Sequence, residues 1–149
     1  MRAVIQRVNR AGVVVNDVRI ADIGPGLLVL LGVEVGDDKN SAEYLAKKTA
    51  DLRIFEDDAE KMNLSVRDCG GEVLVVSQFT LLADCRKGRR PGFSAAAAPE
   101  QAEPLCEYFI DQLRGQGLEV HSGQFRADMQ VDLINDGPVT ILLDSRKNF

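Results

Sequence analysis

The chain has 149 residues, 45% of them hydrophobic, and a formal net charge of −5. That length supports one domain spanning 1–149 with a substantial core. The acidic balance excludes a protein that coats nucleic acid through a broad basic face, and the longest apolar run, Leu27 to Val33, is too short to cross a bilayer. The opening residues Met1 to Arg7 hold no long apolar stretch, so a soluble, cytoplasmic protein is expected.

Residues 2–8 and 12–21 are rich in Val and Ile and read as strands, with Asn16-Asp17 as the turn of a hairpin. Ile23-Gly24-Pro25-Gly26 is a turn. Leu27 to Val33 is a continuous apolar run of strand length, expected to be a central strand covered on both faces. Asn40 and Glu43 suggest a capping box, and Ala42, Leu45, Ala46, Thr49 and Leu52 trace one stripe of a helix over 40–51. Leu52 to Phe55 reads as a short strand and 57–63 as a polar loop.

Gly70-Gly71 leads into the β-branched run Val73 to Val76, which ends in Ser77-Gln78-Phe79-Thr80-Leu81. Residues 84–98 lack periodicity and read as a long connection, of the kind that carries function in compact domains. From Pro99, Ala102, Leu105, Cys106, Phe109, Ile110 and Leu113 repeat at helical spacing up to Gly115. Strands are expected at 118–121, 129–134 and 139–143. The order β-β-β-α-β-β-α-β-β-β predicts an α/β fold of mixed β-sheets with helices packed on one side.

Three cysteines, Cys69, Cys85 and Cys106, lack the close spacing of zinc or redox motifs, and no cluster of ligand residues in the sequence suggests a metal. A single histidine, His121, leaves no evident Ser/His/Asp or Cys/His set. Two segments stand out instead. Ser77 to Leu81 closes a strand, where freed backbone N–H groups can hold an oxyanion. Asn135-Asp136-Gly137-Pro138-Val139-Thr140 carries an X-Pro bond at a strand start, where proline has no donor to lose. In the cis form that dipeptide would aim two successive carbonyls in nearly one direction, able to test the substituents of a small chiral carbon. Arg86, Lys87, Arg89 and Arg90 form the one dense basic cluster, readable as a solvated loop or as a phosphate contact.

These two segments together strongly resemble the D-aminoacyl-tRNA deacylase family, historically D-tyrosyl-tRNA deacylase. The likeness runs the length of the chain through Gln6-Arg7-Val8, Gly26 to Val33, Arg53-Ile54-Phe55, Lys61 to Leu64, Lys87 to Phe93 and Phe125 to Met129. The resemblance implies hydrolysis of the ester between a D-amino acid, or mischarged glycine, and the terminal adenosine of tRNA, with L-aminoacyl-tRNA rejected. It implies a homodimer in which a cis Gly137-Pro138 enters the partner's active site, braced by Arg7. It assigns Ser77, Gln78, Phe79 and Thr80 to the catalytic segment, with the Phe79 N–H and Thr80 at the scissile ester. Phe125 and Met129 match positions near the terminal adenine, and the 86–90 loop is placed to meet acceptor-stem phosphates. Water activated by the ribose 2′-hydroxyl is the implied nucleophile, without cofactor or metal. Two other readings stay open: a tRNA-end binding module without catalysis, and a small-molecule hydrolase with a serine nucleophile, which needs a histidine within reach of Ser77.

Overall fold

The structure, a computed structural model, describes residues 1–149. Its elements are β1 (Arg2–Val15), β2 (Val18–Ile23), β3 (Gly26–Gly32), α1 (Lys39–Asp51), β4 (Phe55–Glu56), β5 (Met62–Leu64), β6 (Glu72–Ser77), a 3-10 turn (Phe79–Leu82), α2 (Pro99–Gly115), β7 (Val120–Ser122) and β8 (Gln130–Asp144). Six strands form one mixed sheet in the order β2-β1-β3-β6-β7, with β8 along the other edge of β1. β3, β6 and β7 run parallel to one another, while β1 is antiparallel to β2, β3 and β8.

β3 is buried on both faces because its side chains alternate between two cores. Leu27, Val29 and Leu31 join Val73, Val75 and the inner faces of both helices, including Leu45, Ala46, Phe109 and Leu113. Leu28 joins Leu74 and Val76 under the far half of β1, with Ala11, Val13 and Ile23. Ile5 and Ala11 have the same parity in β1 yet enter different cores. The β1–β8 register shifts between Gln6 and Val8 and again between Val8 and Arg10, which re-aims the strand and lets it fold over the sheet.

Several expected boundaries move. β1 is one strand through 2–15, because its polar Asn9-Arg10 stretch sits exposed beside the register shift and needs no turn. The Asn16-Asp17 hairpin is present, with both residues at positive φ (48° and 62°). The capping box belongs to Asp38 and Ser41, two residues before the expected Asn40, since Asp38 Oδ1 accepts the Ser41 N–H at 2.9 Å. The expected strand at 52–55 shrinks to Phe55–Glu56, and Met62–Leu64, expected in part as loop, pairs with it. The two expected strands at 129–134 and 139–143 are one strand, β8, so two strands follow α2, while β5 brings the number between the helices to three.

Candidate active site

The parallel strands β3 and β6 end side by side, Leu31 opposite Ser77. In open α/β sheets the carboxyl ends of parallel strands are where a ligand finds free backbone and a crevice. Here the Gln78 N–H donates to the Leu31 carbonyl at 2.8 Å, and the chain then tightens into the Phe79–Leu82 turn. The first bond of that turn runs from the Leu81 N–H to the Gln78 carbonyl at 3.3 Å. The N–H groups of Phe79 and Thr80 precede it and have no partner within the turn.

A cavity of about 690 Å³ opens at this point. Ser77, Gln78 and Phe79 line it together with Phe93, the Ala96–Ala98 run, Phe125 and Met129. Phe79 is 57% exposed and meets Phe93 edge-on, with ring centroids 5.1 Å apart, so the aromatic wall stands open to a ligand. The expected catalytic segment and the expected adenine residues therefore share one cavity. Thr80 does not line it: this residue is exposed, and its Oγ1 is the acceptor of the Gln78 side-chain amide.

The alanine run was legible only as part of a long connection. Its backbone explains its place: the Val35 N–H donates to the Ala95 carbonyl and the Ala97 N–H to the Val33 carbonyl, both at 2.9 Å. These bonds tie the connection to the end of β3, and methyl-sized side chains leave room for the cavity. Arg126 and Asp128, the only charged residues in the lining, carry no signal of their own in the sequence beyond lying between Phe125 and Met129. Cys106 lines the floor, where burial pushes its thiol up to about 12, so it acts as apolar wall.

Gly137 and Pro138 lie elsewhere. Asn135 pairs with Val8 and Thr140 with Gln6, so the four residues between them stand against a single residue of β1, Arg7. This is a bulge in β8, and Gly137 and Pro138 are exposed at its tip, joined by a cis peptide bond. Two side chains fix its base. Asn135 Nδ2 donates to the carbonyls of Arg7 and Val139, at 2.9 and 3.0 Å, replacing ladder bonds that the bulge interrupts. Arg7, only 6% exposed, donates to the Ile54 carbonyl at 2.7 Å and to the Asp136 carbonyl at 3.3 Å, and pairs with the Asp136 carboxylate at 3.1 Å. Neither Gly137 nor Pro138 lines the cavity of its own chain.

The basic loop is exposed and outside the cavity, pinned where Asp84 and Gly92 exchange backbone bonds at 2.7 and 2.9 Å. Arg86 is bound back onto Asp84 through Nε and Nη2 at 2.9 and 2.8 Å. Those hydrogen bonds hold the Asp84 carboxyl well below the usual carboxylate range. Lys87, Arg89 and Arg90 are the cations this leaves unpaired, one fewer than the sequence suggested.

His121 sits in β7 opposite Leu74, three residues before Ser77, which is about 10 Å along a strand. Its Nε2 lies 3.3 Å from both Glu72 Oε1 and Glu119 Oε1, while Glu72 Oε2 accepts the Gly24 N–H at 2.7 Å. The histidine is occupied by carboxylates far from the cavity, which removes the base that a serine-nucleophile hydrolase would need. This trio of possible ligand residues is not evident from sequence spacing, because two distant segments supply it, Glu72 from β6 and Glu119 with His121 from the β7 segment.

A mixed sheet whose parallel strands end at an open cavity, with no nucleophile–base pair beside it, defines an α/β fold with a candidate site at its strand ends. Within that class, the chain belongs to the D-Tyr-tRNA(Tyr) deacylase family, whose model matches residues 4–144. It is 63% identical over the full length of both chains to a D-aminoacyl-tRNA deacylase of Syntrophotalea carbinolica, and 62% identical, again over both full lengths, to one of Anaeromyxobacter dehalogenans. Among solved structures it is similar to a c-Myc DNA unwinding element binding protein (TM-score 0.91, 44% identity, 97% of this chain and 98% of that one). It also shares its fold with a probable eukaryotic D-amino acid tRNA deacylase (TM-score 0.83, 18% identity, 96% of this chain and 98% of that one).

Proposed function

We propose that this protein, acting as one domain over 1–149, hydrolyses the ester between a D-amino acid and the 3′-terminal adenosine of tRNA while sparing L-aminoacyl-tRNA. The observation that carries the reading is the division of the two signature segments: Ser77-Gln78-Phe79 line a ligand-sized cavity, while Gly137-Pro138 stand exposed on a braced bulge outside it. A bulge so firmly anchored, yet facing away from its own cavity, is suited to serve a second copy.

The edge of β8 supports a homodimer. This 15-residue strand pairs only with β1, and it exposes Ile134 and Leu142, at 46% and 55%. A long open edge with apolar side chains calls for a partner. In the dimer, Gly137 and Pro138 of one subunit present backbone carbonyls to the cavity of the other. An L-side chain collides with that backbone, whereas a D-side chain points away and glycine has none to reject, so mischarged glycine is cleared as well.

The ester carbonyl lies against the Phe79 N–H with Thr80 beside it, and the adenine lies between Phe125 and Met129. Water, activated by the substrate's own 2′-hydroxyl, adds to the carbonyl; the N–H donors stabilise the resulting oxyanion, and the bond to the 3′-oxygen then breaks. Each such donor is worth about 3–4 kcal/mol to the barrier. Ser77 and Gln78 shape the turn and the cavity wall, and Arg7 holds the bulge. Lys87, Arg89 and Arg90, with Arg86 more weakly, meet acceptor-stem phosphates, which suffices because only the end of the tRNA needs holding. The scheme calls on no cofactor, and its substrate places the enzyme in the cytoplasm.

The test is deacylation of D-tyrosyl-tRNA and L-tyrosyl-tRNA by the purified protein. Release of tyrosine from the D-form alone supports the proposal. Binding of both without release would make the protein a tRNA-end binding module.

A further inference from the structure

Resting on that reading, we infer that Arg126 is a substrate-positioning residue that grips the phosphodiester on the 5′ side of the terminal adenosine. Three observations meet at this residue. Arg126 is the one cation in a cavity lining otherwise made mostly of apolar groups. Its side chain is exposed and in no ion pair, whereas Arg7, Arg10, Arg19, Arg67, Arg86, Arg114 and Arg146 are each held by a carboxylate. Its backbone has φ +62°, in the left-handed region that arginine rarely adopts.

The local pattern explains where the guanidinium stands. Phe125, Ala127 and Met129 are half-buried and alternate with exposed Gln124, Arg126, Asp128 and Gln130, so the apolar residues form the wall and the polar ones the rim. The Ala127 N–H donates to the Gln124 carbonyl at 3.2 Å, closing the turn that sets Arg126 at the mouth. With an adenine against Phe125 and Met129, the flanking phosphate is the anionic group nearest that mouth. A guanidinium offers a planar fork of N–H donors that matches phosphate oxygens. Asp128 shares the rim without an ion pair to Arg126, so the guanidinium is free to replace a counterion on that phosphate.

The experiment compares kcat/KM for D-tyrosyl-tRNA with that for 3′-O-D-tyrosyl-adenosine, which has no phosphate. In Arg126→Gly, which suits the left-handed backbone and so keeps the fold, the ratio of the two is expected to fall about tenfold through KM on tRNA. Arg126→Lys should recover part of it. The slope of log KM against log salt on tRNA should also drop by about 0.7, the loss of one single-strand phosphate contact. An unchanged ratio in Arg126→Gly, or an unchanged salt slope, would overturn the assignment. Failure of the wild-type protein to cleave either substrate would instead overturn the deacylase reading itself.

Discussion

Asn135 Nδ2 lies 2.9 Å from the carbonyl oxygen of Arg7, and the same amide also binds the carbonyl of Val139. One side chain thus closes the base of the bulge that carries Gly137 and Pro138. Asn135→Ala leaves two carbonyls without their donor and is expected to cost about 1–3 kcal/mol, read as a lower urea midpoint. Because the bulge loosens, discrimination between D- and L-tyrosyl-tRNA should weaken in the same variant; a stability loss with selectivity intact would separate the brace from the selector.

Gly137 has φ +121°, and a Cβ there would come within 2.8 Å of Val139 Cγ2 and 3.0 Å of Arg7 Nη2. Both contacts are closer than packed atoms tolerate, and the conformation is one that L-residues rarely adopt. Gly137→Ala is expected to lower deacylation of D-tyrosyl-tRNA at least tenfold while costing about 1–3 kcal/mol of stability. Single-turnover rates on the D- and L-substrates check this, and unchanged rates with unchanged selectivity would remove Gly137 from the selector.

Phe79 opens the 3-10 turn, the position where proline is tolerated because its N–H has no partner within the turn. Phe79→Pro deletes the proposed oxyanion donor and is expected to reduce kcat by about 100- to 1,000-fold. Phe79→Ala removes the ring but keeps the N–H, so its kcat should fall far less. Thr80→Ala, altering an exposed residue outside the cavity, should retain measurable single-turnover deacylation. A trapped acyl ester on Thr80 would contradict attack by water.

Asp144 links the end of β8 to the start of β1. Burial alone would raise its carboxyl, but hydrogen bonds from the Arg146 N–H, Asn148 and Arg2 outweigh burial and hold it below the usual aspartate value of 3.8. A depressed folded-state value adds stability above the unfolded value, and that stability is lost as pH falls through the folded one. Asp144→Asn should therefore be less stable than wild type at pH 7, with the gap narrowing as pH falls below 3.8. Urea midpoints at pH 7, 4 and 3 measure it, and a gap independent of pH would refute the linkage.

Much of this architecture was legible in the chain, for identifiable reasons. Leu27–Val33 and Val73–Val76 are continuous apolar runs, and only doubly covered parallel strands need them. The stripe ending at Leu113 could be read because one face of α2 meets the core. The continuity of β1 and β8 was hidden because polar Asn9-Arg10 and the Gly137-Pro138 pair look like breaks, while the ladder bridges both with a register shift and the Asn135 side chain. Asp38 followed three residues later by Ser41 carried a capping signal, masked by the nearby Asn40 and Glu43. Ser77–Phe79 and Phe125–Met129 were placed in one site by resemblance, and their meeting in space depends on long-range packing. Arg126 lay within a recognised segment, yet its open position at the rim is visible only in three dimensions.

The central claim is that each site joins the cavity of one subunit to the bulge of another. Mixing Phe79→Pro with Gly137→Ala protein under conditions that exchange subunits tests it directly. A mixed dimer then holds one site with an intact turn from the Gly137→Ala subunit and an intact bulge from the Phe79→Pro subunit. Deacylation of D-tyrosyl-tRNA should rise well above that of either variant alone, toward half the wild-type rate per mixed dimer. Activity no greater than the average of the two separate variants, with subunit exchange verified, would show that each chain builds its site alone.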